Sequence, residues 1–503
     1  MRTALWRRRF RAFWKDDDGQ VLPFVAVLMV AMLGMAGLAV DVGHAYLCQR
    51  ELQASCDAAA LAGAAVIPTS SMTSTVISTA TNYSSTSNAK NSYGNLSSVT
   101  MVAGYPALKC LSTMQTQGIS CVGYLPYNAL QVKQRAVVPM YFAKLFGMST
   151  MTVGASSTAA KGGGSSRPYN IAIMLDTTLS MTYYDSDCGN TQMQCSLNGV
   201  QVLLRYLDPC GFSQQTCTFT AGNAANSVVR VSLFTFPQLQ YPTVRYDSDC
   251  SNSVATSTSY TFPPIGGTSY MPGTYNNSTT YRVVDFQSDY RVSDTATALN
   301  SSSLLTTAAG GSPGCAGMNT PNNAGYYGTY YAATMYAAQA ALIQERTANP
   351  GSENVLIILG DGDANAPQYN PPGNPNGIQV MPYPASGTGL YPSYYGECGQ
   401  AIDAAAFATG QGTTVYTVAY GSPSSGCTTD QSGSHAAGTH PNISPCNEMA
   451  AMASHSWDFF SDYKQTGADT SCVAAQTMVS LNNIFLQIAG DLTVARLIPD
   501  NTT

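Results

Sequence analysis

Three short runs hold the side chains best suited to chemistry: Asp176-Thr177-Thr178-Leu179-Ser180, Gly328-Thr329, and Leu359-Gly360-Asp361-Gly362-Asp363. The first and third follow apolar stretches that read as strands, and the second opens an alanine-rich helical stretch. In a parallel sheet such ends converge on one crevice, where folds of this kind bind ligands. Asp176, Thr178, Ser180, Thr329 and Asp361 would then gather carboxylates and hydroxyls at one place. These are hard oxygen donors that suit a divalent cation, Mg²⁺ first and Mn²⁺ or Ca²⁺ next. The absence of His and Cys from the loops argues against Zn²⁺. Five donors, some acting through water, leave an octahedral shell with an open position fit for a partner's carboxylate. The competing reading is local: Thr178, Ser180 and Thr329 as ordinary helix caps.

Nothing comparable points to an enzyme. The four histidines are scattered: His44 near the N-terminal apolar segment, His435 and His440 in a Gly/Ser-rich loop, and His455 in an expected helix. No nucleophile with a base and an orienting group is visible, and no Gly-x-Ser-x-Gly elbow occurs. Glu345 beside Arg346 reads as a solvated helix end.

The elements that must position the donors alternate as strand and helix, the signature of a doubly wound sheet. Expected strands are Tyr169 to Asp176, Val228 to Phe236, Val355 to Leu359, Thr414 to Tyr420 and Trp457 to Tyr463, with Thr243 to Tyr246 as an edge. Expected helices are Leu197 to Leu207, Tyr330 to Gln344, Ala401 to Ala408, Asn447 to His455 and Val473 to Leu492. Long inserts near 251–300, 367–395 and 422–444 are rich in Gly, Pro, Tyr and Asn and read as binding surfaces or disordered loops. Tyr184-Asp185-Ser186-Asp187-Cys188 recurs as Tyr246-Asp247-Ser248-Asp249-Cys250. Asx turns explain the duplication most simply, ahead of two turns joined by a disulfide or an acidic calcium loop.

Ahead of this region lies an apolar segment, Val21 to Val40, of twenty uncharged residues. At a helical rise of about 1.5 Å it spans about 30 Å, the thickness of a bilayer's hydrocarbon core. Arg2, Arg7, Arg8, Arg9, Arg11 and Lys15 precede it, which places residues 1–20 in the cytoplasm and the remaining chain across the membrane. The run is too long for a cleaved secretory signal. Gly19-Gln20 looks like a prepilin peptidase junction, but Phe24 stands where such leaders usually carry Glu. The segment therefore reads as an uncleaved anchor, with processing at Gly19 the alternative.

Composition agrees with export. Fourteen cysteines occur, twelve of them beyond Gly63, so disulfides are expected, with Cys110–Cys121 and Cys427–Cys446 the simplest local pairings. Only 10% of residues are charged. Without the first nineteen residues, sixteen Lys/Arg face twenty-five Asp/Glu, a net charge of −9, which excludes nucleic acid as a natural partner. Residues 41–66 continue the helix as a stalk. Val42, Ala45, Gln49, Leu52, Cys56, Ala59, Gly63 and Val66 form a seam for either a partner helix or the chain's own next domain. Residues 67–161 form a small α+β region in which Ser70 to Ser98 reads as loop. Val132 to Met140 and Thr150 to Ala155 read as strands around a short helix, Tyr141 to Phe146, that stops at Gly147. Residues 162–168 read as a flexible Gly/Ser linker, leaving 169–498 as the sheet domain.

Two resemblances follow from these residues. Residues 169–498 resemble a von Willebrand factor A domain, whose metal-ion-dependent adhesion site has the form Asp-x-Ser-x-Ser, then Thr, then Asp. Asp176, Thr178 and Ser180 fit the first loop with Thr in place of the first Ser. Thr329 in Gly328-Thr329-Tyr330-Tyr331-Ala332-Ala333 fits the second. Asp361 fits the third, with Gly360 replacing a common Thr. The N-terminal part resembles the TadG-like (TadE/G-like) proteins of Tad, or Flp, pilus assembly. It does so through Asp18-Gly19-Gln20, Gly37-Leu38-Ala39-Val40-Asp41-Val42-Gly43 and the run Asp57-Ala58-Ala59-Ala60-Leu61-Ala62-Gly63, while Phe142 to Gly147 resembles that family's small pseudopilin-like domain. Together they imply a single-pass protein of the bacterial inner membrane, its bulk periplasmic or at the cell surface. They also imply an accessory role in pilus assembly or secretion, with partner proteins held through the metal, and an independent metal-dependent adhesin as the alternative.

Overall fold

The computed structural model describes residues 21–69, 72–86, 88–116, 119, 121, 125–163, 168–210, 219–220, 223–224, 227–236, 281–294, 298–318, 328–365, 391, 395–420, 426–430, 440, 443–462, 472 and 480–499. The basic head, the Thr243 to Tyr246 edge strand, the second Tyr-Asp-Ser-Asp-Cys copy, His435, and most of the inserts lie outside them.

Helix α1 (Val21–Val66) runs unbroken for 46 residues. From Val21 to Val40 every residue but Gly37 is exposed, the pattern of an apolar helix with no protein around it. From Asp41 onward one stripe turns inward: Ala45, Cys48, Leu52, Cys56, Ala59 and Gly63 are buried. They pack on a small antiparallel sheet of this same chain, so the stalk seam is an intramolecular one. That sheet runs β1 (Ser97–Met101), β3 (Ala129–Pro139), β4 (Thr150–Ala160), β11 (Arg496–Ile498), with β2 (Ala107–Lys109) also on β3. β3 and β4 form a hairpin paired from Ala129↔Ala160 to Pro139↔Thr150. Its tip carries a short 3₁₀ turn, Ala143–Phe146, rather than the expected helix, closed by Gly147 at φ +90°.

Ser70 to Ser98 is not all loop: α2 (Thr73–Asn82) lies within it. Val76 and Ala80, four residues apart, are fully buried against α1. Gly63 makes the approach possible, since a Cβ there would sit 2.2 Å from Leu130 and 3.0 Å from Ala80. Two apolar residues thus outweigh a Ser/Thr-rich composition.

The larger sheet has the order β7 (Arg282–Gln287), β6 (Val229–Phe236), β5 (Tyr169–Asp176), β8 (Glu353–Gly360), β9 (Thr413–Ala419), β10 (Phe459–Ser461). All neighbours are parallel except β7, which runs antiparallel to β6. This edge strand falls inside the stretch expected as an insert, where Val283, Val284 and Phe286 supply the buried side chains. Helices cover both faces, which is why β5 can be buried along its full length. On one face Ile171, Ile173 and Leu175 meet α3 (Gln192–Tyr206) and α7 (Leu481–Asp491). On the other, Ala172 and Met174 meet α4 (Tyr331–Ala348) and α5 (Glu397–Gly410), with α6 (Pro445–Met452) behind. The doubly wound α/β architecture expected from the alternation is the one observed.

The disulfides include Cys110–Cys121, as expected, together with Cys188–Cys195. Cys427 and Cys446 do not pair with each other. They bond to Cys398 and Cys472, respectively, so each ties a helix of one face to a neighbouring loop. Cys188–Cys195 also removes the idea of a disulfide between the duplicated turns. Asp185 Oδ1 accepts the Asp187 amide at 2.8 Å, which is the Asx turn itself.

The two sheets are stitched together by the chain's end. β11 returns from α7 to pair with β4, Leu497 facing Ala159. Gly163 N donates to Thr493 Oγ1 at 2.8 Å, so the first glycines of the linker are packed. Lys161, 2% exposed, donates to Gln487 Oε1 at 3.0 Å and faces the half-buried Asp491 carboxylate. Burial lowers the Lys161 pKa and the Asp491 charge opposes that shift. Removing one partner leaves the other charge uncompensated at a site closed to solvent on the lysine side. Lys161→Met should therefore destabilise the chain by about 3–5 kcal/mol in denaturant unfolding, and Lys161→Met with Asp491→Leu should recover most of the loss. A double mutant no better than the single would show that the pair does not join the two units.

Candidate metal centre

The register of the larger sheet creates the site. β5 and β8 are parallel neighbours with Leu175 opposite Leu359, so Asp176 and Gly360-Asp361 leave the sheet side by side at its carboxyl edge. The strand β5 turns abruptly there into a 3₁₀ turn, Leu179–Thr182, which brings Thr178 and Ser180 over the same edge.

A continuous chain of polar contacts results. Thr178 Oγ1 donates to Asp176 Oδ1 at 2.6 Å, and the Thr178 amide donates to the same oxygen at 2.8 Å. Thr178 Oγ1 lies 3.0 Å from Ser180 Oγ, and Ser180 Oγ donates to Asp361 Oδ1 at 2.9 Å. Four of the five sequence-selected residues are thus linked. The fifth, Thr329, is buried just ahead of α4 and joined to the third loop through Asn365. Its amide donates to Asn365 Oδ1 at 3.1 Å, and the Asn365 amide donates to Thr329 O at 2.9 Å.

Helix capping does not explain these residues. Thr178 precedes the 3₁₀ turn without a side-chain cap bond, its hydroxyl being directed to Asp176 instead. Ser180 sits inside the turn and reaches the opposite strand. The residue at the cap position of α4 is Tyr330, not Thr329.

Electrostatics make the arrangement costly without a cation. Asp176 is fully buried, and its Oδ2 has no hydrogen-bond donor. Burial pushes its pKa well above the usual carboxylate range. The Asp361 charge pushes the same way, against the two bonds from Thr178. Asp361 is also raised by burial, with the Ser180 hydroxyl opposing. Two crowded carboxylates, one with a bare oxygen, need either a proton or a positive ion between them. The donor set is all oxygen, and a divalent hard cation fits it. The other candidate cluster, Cys398, Cys427 and Glu448, does not compete, because those two cysteines are bonded to each other.

Two further residues belong to this place. Tyr331 Oη donates to Gly362 O at 2.6 Å, beneath the third loop. A Cβ at Gly360 would fall 2.2 Å from that hydroxyl, so Tyr331 leaves room for nothing larger than glycine there. Gln192, with its amide nitrogen turned inward, donates to Asp361 Oδ2 at 3.1 Å and Ser180 O at 3.2 Å. Position 331 could have been noticed as an aromatic beside the Gly-Thr pair. Gln192 carried no signal.

The pH dependence follows from these shifts. Asp176 and Asp361 hold protons more tightly folded than unfolded, as do Asp294 and Asp458, each raised by burial to about 6. Over that window the folded chain binds more protons, so unfolding free energy falls as pH rises. With chelator present, the melting temperature should fall from about pH 4, the ordinary carboxylate range, through about pH 6. Asp176→Asn removes the buried charge and keeps its shape. It should raise the metal-free stability at pH 7 by roughly 1–3 kcal/mol. A melting temperature that climbs with pH, or a destabilised Asp176→Asn, would contradict this electrostatic account.

Comparison with known proteins finds family models for the N-terminal part. Residues 19–66 match the family model described as putative Flp pilus-assembly TadE/G-like, and residues 62–159 match putative Tad-like Flp pilus-assembly. No curated protein sequence matches the chain. Among solved structures it is similar to the pilus adhesin SpaC from Lactobacillus rhamnosus GG in its open conformation, with 12% identity and a TM-score of 0.32. That alignment covers 73% of this chain and 32% of SpaC, so the chain spans about a third of the adhesin's length. It is also similar to the manganese-loaded TRAP protein of Plasmodium vivax, with 10% identity, a TM-score of 0.29, and coverage of 66% and 78%. A third similar structure is proximal thread matrix protein 1 from the mussel byssus with a zinc-occupied MIDAS motif, with 9% identity, a TM-score of 0.26, and coverage of 66% and 48%. The strand order and edge polarity, rather than these distant likenesses, carry the fold assignment. Residues 19–159 thus match Tad-like Flp pilus-assembly models, and the residues beyond them fold as a doubly wound α/β domain.

Proposed function

We propose that the protein is a membrane-anchored accessory component of Flp pilus assembly or secretion that captures a partner protein through a divalent cation. The observation that supports this most is the pair of adjacent carboxylates, buried Asp176 and half-buried Asp361, with an unpartnered oxygen on Asp176 and two hydroxyls beside them. In this reading Asp176, Thr178, Ser180, Thr329 and Asp361 hold the ion, directly or through water. Mg²⁺ is the ion of choice because every donor is oxygen, with Mn²⁺ or Ca²⁺ as substitutes. When bound, the ion supplies an electrophilic position at which a partner's carboxylate completes the shell.

The chain's own residues do the rest. Tyr331 and Gly360 fix the height of the third loop, Thr178 orients the Asp176 carboxylate, and Ser180 spans from the first loop to the third. No reaction is assigned: the site reads as an adhesive contact rather than a catalytic one. The exposed apolar Val21 to Val40 is the membrane anchor, with the arginine-rich head cytoplasmic and the two folded units on the periplasmic side of the bacterial inner membrane.

Capture of Flp assembly proteins by the detergent-solubilised full chain tests the reading. With Mg²⁺ the wild-type chain should retain a partner. Chelator or Asp176→Ala should cut retention by about tenfold or more, a loss of about 1.4 kcal/mol or greater. Circular dichroism of the variant should remain that of the folded protein. Retention that ignores both chelator and the substitution would remove the cation from the contact.

A further inference from the structure

The β3–β4 hairpin ends in an apolar tip that no core covers. Leu145 and Phe146 are 82% and 79% exposed, and Tyr141, Phe142 and Met148 stand open around them. Such a cluster on one turn marks a surface meant for contact. Its location says with what. Asp41 Oδ1 accepts the Tyr141 amide at 2.8 Å, and Asp41 Oδ2 accepts the amides of Phe142 at 2.9 Å and Ala143 at 2.5 Å. Phe142 then reaches back along α1 to lie over Gly37, where a Cβ would fall 2.7 Å from its ring. Gly37 is four residues, about 6 Å, nearer the N-terminus than Asp41. The tip is therefore fixed at the level of the apolar segment. Uncovered apolar side chains on α1 also continue past Asp41 through Val42, Tyr46 and Leu47, so that level is inside the apolar band.

We propose that this tip is a second membrane element, with Leu145 and Phe146 entering the bilayer beside α1 and Lys144 reaching a phospholipid headgroup. The proposal rests on the reading of Val21 to Val40 as a membrane anchor. A carboxylate or a bare amide is costly in lipid. Here the two solve each other, because Asp41 is 2% exposed and takes three amides of the tip. Three more amides close within the turn: Leu145 to Phe142 O, Gly147 to Lys144 O, and Met148 to Ala143 O. The tip can thus enter the interfacial layer with most of its backbone satisfied, as interfacial segments must, while the exposed Lys144 extends its ammonium toward water and phosphate. Two points of attachment fix the tilt of the small sheet on the membrane, which one helix leaves free.

Single-tryptophan chains test this in full-length protein reconstituted into phosphatidylglycerol/phosphatidylethanolamine vesicles. Trp6, Trp14 and Trp457 are replaced by Phe, and one Trp is restored as Val30→Trp, Phe146→Trp or Tyr184→Trp. Emission from position 30 and from position 146 should be blue-shifted in ordinary vesicles and quenched with brominated acyl chains, while emission from position 184 is unchanged by bromination. Quenching at 30 but not at 146 would overturn the proposal and leave the anchor intact. Quenching at neither would overturn both. In a second readout, Leu145→Ser with Phe146→Ser, both exposed and so compatible with folding, should leave the chain membrane-bound. The double substitution should abolish the quenching of a Trp placed at Met148. Persistence of that quenching would contradict the role given to these two side chains.

Discussion

Two carboxylates at the end of adjacent parallel strands, with too few protein donors to neutralise them, set the character of the C-terminal domain. β5 and β8 are bound in register along their length, and that register delivers Asp176 and Asp361 to the same edge whatever the loops do. The strands are stabilised by apolar burial on both faces, each fully buried Leu or Ile contributing about 1.5–3 kcal/mol. Burial of this kind is large enough to impose an unfavourable charge arrangement at one end. The domain thus stores at its rim an electrostatic cost that a bound cation would relieve, so in the proposed function ion binding and fold stability are two aspects of one interaction.

A different carboxylate organises the other end of the molecule. Asp41, at the point where α1 leaves its bare apolar stretch, gathers the amides of the hairpin tip and so fixes the small sheet to the helix at its base. Farther out, the small residues of α1 let β3, β4 and α2 approach closely. β11 and Lys161 then carry that rigidity into the larger domain. From the apolar helix to the carboxyl edge of the large sheet, the described chain is joined through packed or hydrogen-bonded contacts.

Much of this was legible from residue patterns because the central strands are continuous apolar runs. Tyr169 to Asp176 could be placed as a strand, with its terminal acid, from the run alone, and the helices α3, α4 and α5 from their spacing. The donors Asp176, Thr178, Ser180 and Asp361 come together as strand ends should, and Thr329 stands on the neighbouring loop. What pattern did not reveal depends on contacts between distant segments. β7 is short and embedded in polar sequence, and α2 is betrayed only by Val76 and Ala80. The partners of Cys427 and Cys446 are set by where α5 and α6 lie in space. Gly360 stood out from the sequence pattern the third loop resembles, and Tyr331 fills the position a side chain would take. Gln192 reaches Asp361 only because α3 begins beside the first loop, a fact of tertiary geometry with no local trace.

The most direct measurement is electron paramagnetic resonance of Mn²⁺ titrated into the full-length chain in detergent. The six-line signal of the free ion should stay suppressed until a single class of site is filled, and Mg²⁺ should restore it by competition. In Asp176→Asn the signal should grow from the first addition. A wild-type chain that leaves the free-ion signal unchanged would contradict the claim that these carboxylates are built around a cation.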